Sequence, residues 1–108
     1  MKRLHIALAV KNLEVSIIEY SRRLGSEPVA IANNRYALWR TQTVNLSIIE
    51  NPEQAGTLRH LGFEDSEASQ LSSEYDGDGF EWEHFTAEQQ RQEILQYYPD
   101  ADYPESKL

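Results

Sequence analysis

Residues 4–25 read LHIALAVKNLEVSIIEYSRRLG, and most of the fold follows from this stretch. From Leu4 to Val10 the chain alternates, with Leu4, Ile6, Leu8 and Val10 on one side and His5, Ala7 and Ala9 on the other. That period of two is the signature of a strand. Asn12 then supplies an N-cap, Leu13, Ile17, Tyr20 and Leu24 recur at helical spacing, and Gly25 stands where a helix commonly ends. The spacing predicts a helix over 13–24 packed on the leucine side of the strand. His5 is left facing away from it, among small neighbours.

Outward from this pair, a short strand near Pro28–Ala32 meets Asn33-Asn34, a dipeptide tolerant of positive φ and suited to a hairpin. Tyr36–Thr41 is the returning strand, and Val44–Ile49 follows after a short connection. The order over 1–50 is therefore βαβββ. Residues 51–56, NPEQAG, form a loop by composition and bound this module. Beyond them, Leu58–Phe63 predicts a strand. Glu64–Glu74 is acidic and serine-rich with few core residues, Asp76-Gly77-Asp78-Gly79 is a turn, and Phe80–Phe85 is a second strand. Thr86 with Gln89 forms a capping-box pattern that opens a helix ending before Pro99. The tail after Asp100 is expected to be loosely ordered. The fold class is α+β, a single domain over 1–108. It comprises a complete βαβββ module (1–50) and an abbreviated second module (57–98) with a C-terminal helix.

A chain of 108 residues buries only about two thirds of its unfolded surface, so a homodimer is expected. Ten basic against eighteen acidic residues give a formal charge of -8, which disfavours nucleic acid and anionic membrane as partners. With no cysteine, thiolate metal sites, disulfides and a cysteine nucleophile are excluded, and any metal must use His, Asp or Glu. The N-terminal apolar stretch is too short for a leader, and no segment has the length of a membrane span, so a cytoplasmic location is expected.

HIALAVKNLEVSIIEYSRRLG (5–25) resembles the opening module of the vicinal oxygen chelate superfamily, which includes glyoxalase I, extradiol dioxygenases, and fosfomycin- and bleomycin-resistance proteins. RHLGFED (59–65) is similar to the strand that opens the family's second module, and DGDGFEWEHF (76–85) to the strand that closes it. The resemblance covers residues 3–85. It implies a metal ligand on the first strand, another on the strand opening module two, and a carboxylate on the closing strand. By position these are His5, His60 and Glu83, with Glu83 also the catalytic group. Only ten residues separate Asp65 from Asp76, so the helix and two strands that the family places there cannot fit.

Two imidazoles and a carboxylate suit a divalent ion, Fe, Zn, Mn or Ni, that binds adjacent substrate oxygens. From strand pattern alone, His5 and His60 read equally as histidines satisfied by ordinary hydrogen bonds. Candidate substrate contacts are Trp39, Arg40, Asn45 and Ser47, with a salt bridge as the competing role of Arg40. His84 points opposite to Glu83 and reads as a surface or packing residue, and Trp82 as a core or dimer-contact aromatic. The expected function is a glyoxalase- or dioxygenase-like protein that binds or transforms a small organic ligand. The alternatives are a metal-free sequestering protein of the bleomycin-resistance type and a degenerate dimerising domain.

Overall fold

A computed structural model describes residues 1–108. Its elements are β1 (Lys2–Val10), α1 (Leu13–Leu24), β2 (Ala30–Ala32), β3 (Tyr36–Arg40), β4 (Val44–Glu50), β5 (Leu58–Asp65), β6 (Ser72–Tyr75), β7 (Glu81–Phe85) and α2 (Ala87–Tyr97), with short 3₁₀ turns at Pro52–Gln54 and Glu105–Lys107. The chain is thus α+β. All strands join one seven-stranded sheet in the order β2-β3-β4-β1-β5-β7-β6. β1 runs parallel to β4, which pairs antiparallel with β3. The same relation recurs in the second half, where β5 runs parallel to β7 and β7 pairs antiparallel with β6. The second half lacks a helix and one strand, as the short spacer requires.

Local chemistry sets the helix ends. Asn12 accepts a hydrogen bond from the Val15 amide at 3.0 Å, and Gly25 ends α1 with φ 68°, a conformation that costs glycine little. In α2 both halves of the Thr86–Gln89 capping box form, at 3.1 and 2.9 Å. Caps of this kind each contribute about 1 kcal/mol.

The sheet has two differently covered faces. Val10, Leu13, Ala37, Trp39 and Ile48 form a core under α1, joined by Ile17, Tyr20 and Leu24. On the opposite face α2 and the C-terminal tail pack over Ala30, Ala32, Tyr36 and Leu38, with Ile94 and Tyr103 inserted. α1 lies over β3 and β4 and leaves Leu4, expected to be packed, 38% exposed, while His5 across the strand is 2% exposed. The tail corrects the expectation of loose order. Tyr103 is buried, Asp102 bridges to Ile31, and the Tyr103 carbonyl accepts from Arg91 at 2.9 Å. β6 was not expected either, because its side chains are exposed and only backbone pairing holds it. No helix is long and apolar enough to cross a membrane.

Candidate metal centre

The register across the middle of the sheet brings three strands to one point. His5 pairs with Asn45 on one side and Gly62 on the other, and Gly62 pairs with Glu83. His60 lies opposite Ala7, one step along the same face. A Cβ on Gly62 would overlap the Glu83 carbonyl oxygen and stand 2.9 Å from the Glu83 carbonyl carbon and amide nitrogen. Glycine here therefore lets β7 approach closely, with Glu83 beside the two histidines.

His5, His60 and Glu83 converge within one chain. His5 Nε2 and His60 Nε2 are 3.0 Å apart, His60 Nε2 and Glu83 Oε1 3.1 Å, and His5 Nε2 and Glu83 Oε1 3.8 Å. A point about 2.1 Å from all three atoms lies just off their plane, within the bond range of Zn–N and Zn–O. The donor set, two imidazole nitrogens and one carboxylate, fits a divalent ion and leaves further coordination positions on the cavity side.

Each of the three side chains is oriented by its surroundings. His5 Nδ1 donates to Asn45 Oδ1 at 2.8 Å and lies 3.2 Å from the Asn45 carbonyl oxygen. Both partners are acceptors, which leaves Nε2 with its lone pair toward the other two ligands. Phe85 holds the ring edge-on at 5.1 Å. Burial depresses His5 below the ordinary imidazole value, and the Asn45 hydrogen bond only partly opposes this. Burial works against ionisation of Glu83, but the His60 hydrogen bond and the charges of His60, His5 and Arg59 outweigh it and hold the carboxyl below its usual range.

Behind the site sits a charged cluster. Glu64 takes Arg40 Nε at 2.6 Å and Asn45 Nδ2 at 2.8 Å on one oxygen, and Arg3 at 2.6 Å on the other. Burial opposes ionisation of Glu64, yet Arg40, Asn45 and Arg3 prevail and hold it below the usual value. Three depressed groups, His5 first and then Glu83 and Glu64, give the metal-free protein a two-step acid response. His5 in the unfolded chain takes a proton near its free value of about 6.5 while the folded imidazole resists, so stability declines first below that pH. Glu64 and Glu83 add a second loss as pH falls below about 4.3 and through their folded values. Urea unfolding between pH 8 and 3 is expected to show both declines, and a flat profile down to pH 4 would contradict the assignment.

The ligands open on a cavity of about 450 Å³ between the sheet and α2. Tyr36, Ser47 and Ile49 line its sheet side, and Glu93, Tyr97 and Tyr98 reach in from α2 and its end. Arg59 and His60 are adjacent in sequence yet both face it, because the register shifts between Ala7 and Leu8 and leaves Arg59 as an unpaired bulge. Burial and the neighbouring Glu83 and Glu81 push Glu93 above the ordinary carboxylate value. None of the α2 residues was anticipated as part of a site.

Three expected substrate contacts lie elsewhere. Trp39 is fully buried under α1, on the other face, with its indole N–H directed to Ser21 and Ser26. Arg40 is consumed by Glu64, the Tyr103 hydroxyl at 2.7 Å and the Lys107 carbonyl at 2.9 Å. Asn45 is fully buried behind His5 and touches the ligand side chain instead of the cavity. Ser47 does line the cavity. His84 lies off the site and bonds Asp65 at 2.7 Å, while Trp82 stacks on Phe63 at 6.0 Å on the outer face.

Fold and site together define a mixed-sheet protein with a histidine–histidine–carboxylate group under a C-terminal helix. No protein-family model matches the chain. It is 37% identical over 76 residues to cadmium-induced protein CadI of Mycobacterium bovis and of Mycobacterium tuberculosis, an alignment covering 68% of this chain and 49% of each relative. The chain spans about half the length of the curated relatives it matches. Among solved structures, an NAD-dependent benzaldehyde dehydrogenase from Legionella pneumophila superposes with a TM-score of 0.52 at 13% identity, over 77% of this chain and 97% of that one. That likeness concerns the fold alone. A glyoxalase / bleomycin resistance protein from Catenulispora acidiphila is 25% identical, over 76% of this chain and 95% of that one, with a TM-score of 0.45.

Proposed function

We propose that this chain is a cytoplasmic protein of the vicinal-oxygen-chelate type, in which His5, His60 and Glu83 hold a divalent metal, Fe, Zn, Mn or Ni, at the floor of a small-molecule site. The observation that carries this reading is the convergence of the three donor atoms within 3.8 Å of one another beside an open cavity. The metal would act as a Lewis acid toward two adjacent oxygens of the ligand. The remaining steps belong to the chain. Glu83 Oε2 has no hydrogen-bond partner in the protein and is the group to take or return a proton, in lyase, isomerase or dioxygenase chemistry. Arg59 makes no ion pair and faces the cavity beside His60, a place from which it would meet an anionic oxygen of the ligand. Tyr97 and Tyr98 form the aromatic wall on the helix side, with the Tyr98 ring held against Tyr36 and Arg35.

The same distances also suit a triad held by a proton, with the His60 Nε2–H shared between His5 Nε2 at 3.0 Å and Glu83 Oε1 at 3.1 Å. That is the metal-free sequestering reading, and one experiment separates the two. Thermal stabilisation by oxalate is measured on protein loaded with one equivalent of zinc and again after chelation. The metal reading expects a shift only in the loaded protein; an equal shift after chelation transfers the function to the metal-free module. Arg59→Gln is expected to weaken oxalate binding about tenfold, the value of one charge-assisted contact, with zinc still bound at one per chain. Equal oxalate affinity in this variant removes Arg59 from the site.

Pairing with a second copy remains part of the proposal, although one chain already assembles all three ligands. Sedimentation at twice the chain mass is the expected result, and a monomer at micromolar concentration would refute it.

A further inference from the structure

We propose that Glu64 is a positioning residue that sets the tautomer of His5 through the amide of Asn45. This rests on the metal reading for its purpose, but the tautomer itself is a property of the metal-free chain. Glu64, held between Arg3 and Arg40, presents only acceptors to its neighbours. Its Oε1 therefore compels the Asn45 amide to turn its NH₂ toward Glu64, at 2.8 Å. The carbonyl end of that amide must then face His5, 2.8 Å from Nδ1. An oxygen there requires a proton on Nδ1, and the lone pair falls on Nε2, the atom that meets His60 and Glu83.

Gln90 locks the amide from the helix side. Its Oε1 accepts from Asn45 Nδ2 at 2.8 Å and its Nε2 donates to Asn45 Oδ1 at 3.1 Å, so each end of Asn45 is bonded twice. Asn45 is fully buried, and no buried side-chain nitrogen or oxygen in the chain lacks a partner. A flipped amide would set a nitrogen against Gln90's donor and leave Glu64 facing an oxygen. The Asn45 backbone carbonyl, 3.2 Å from Nδ1, favours the same tautomer at longer range. The direction of hydrogen bonding thus runs one way, from a carboxylate that touches no ligand of the site to the lone pair a metal needs. Outer partners of this kind typically change metal affinity 10- to 100-fold.

The test uses Glu64→Gln, whose amide can donate toward Asn45 and release the constraint, and Asn45→Leu, which removes the relay while leaving Glu64 its carboxylate and both arginines. Long-range ¹H–¹⁵N spectra of the metal-free protein report which His5 nitrogen carries the proton, and zinc affinity is measured by chelator competition. The wild type is expected to show Nδ1–H alone. Both variants are expected to show mixed tautomers at His5, with the His60 pattern changing in step because the two Nε2 atoms lie 3.0 Å apart, and zinc binding weakened at least about tenfold. Should Glu64→Gln fail to fold, Asn45→Leu carries the test by itself. A folded variant that keeps pure Nδ1–H overturns the relay, whatever its zinc affinity. If the wild type binds no zinc but the variants mix tautomers, the relay stands and the metal reading falls.

Discussion

Replacing His60 with alanine is expected to weaken zinc binding by more than about 100-fold while the protein stays folded. His60 contributes one of three donor atoms, yet its side chain keeps 14% exposure, so its removal opens no deep cavity. His5→Ala is expected to cost as much affinity and also stability, because it empties a buried imidazole site and takes one of the two donors from Asn45 Oδ1, the lost hydrogen bond alone costing about 1 kcal/mol. His84→Ala is the control, since His84 bonds Asp65 away from the triad. Its zinc affinity should match the wild type. Titration of all three by chelator competition checks the pattern, and equal losses at His60 and His84 would show zinc bound to histidines at large.

The second large effect falls on a residue with no side chain. Gly62→Val is expected to destabilise the protein by about 3 kcal/mol, the upper range for forcing atoms into a packed site. Its Cβ would overlap the backbone of Glu83 on the neighbouring parallel strand, where neither partner can rotate away. Relief requires β7 to move off β5, and Glu83 moves with it. Zinc affinity is therefore expected to fall together with stability in this variant. Urea unfolding that places Gly62→Val within about 0.5 kcal/mol of wild type would mean that the close approach of β5 and β7 is not what fixes Glu83.

How much of this was readable in advance depends on the range of the forces involved. α1 was legible because Asn12, the Leu13–Leu24 apolar spacing and Gly25 are all local signals. The placement of His5 opposite the leucines of β1 followed from alternation, which is also local, whereas Glu83 was placed by the resemblance of its strand to the family's closing strand. His60 needed more, because the bulge at Arg59 breaks the alternation around it and turns Arg59 into the same cavity. The burial of β1 was legible only in part: Val10 and Leu8 do pack under α1, but Leu4 is left exposed and the His5 face is buried as well. Its leucines looked like core, but α1 settled over β3 and β4, and the His5 face was closed by a helix more than seventy residues away.

That helix was the least legible part. α2 buries Gln90 and Ile94, and a glutamine in a core position gives no hydrophobic signal. Its purpose becomes visible only opposite Asn45, with which it exchanges two hydrogen bonds. Arg40 and Trp39 fail as substrate contacts for a related reason. Their strand positions were right, but Glu64 and Tyr103 claim the guanidinium and α1 covers the indole. The burial of Tyr103, in a tail of acidic and proline residues, likewise depends on Arg40 and Arg91, neither of which is near it in sequence.

X-ray absorption at the zinc edge, on protein reconstituted and freed of excess metal, tests the central claim most directly. The expected result is one zinc per chain with nitrogen and oxygen neighbours at about 2.0–2.1 Å, an imidazole scattering pattern from two rings, and loss of that pattern in His60→Ala. Reconstituted protein that retains no stoichiometric zinc, or a spectrum unchanged in His60→Ala, would contradict it.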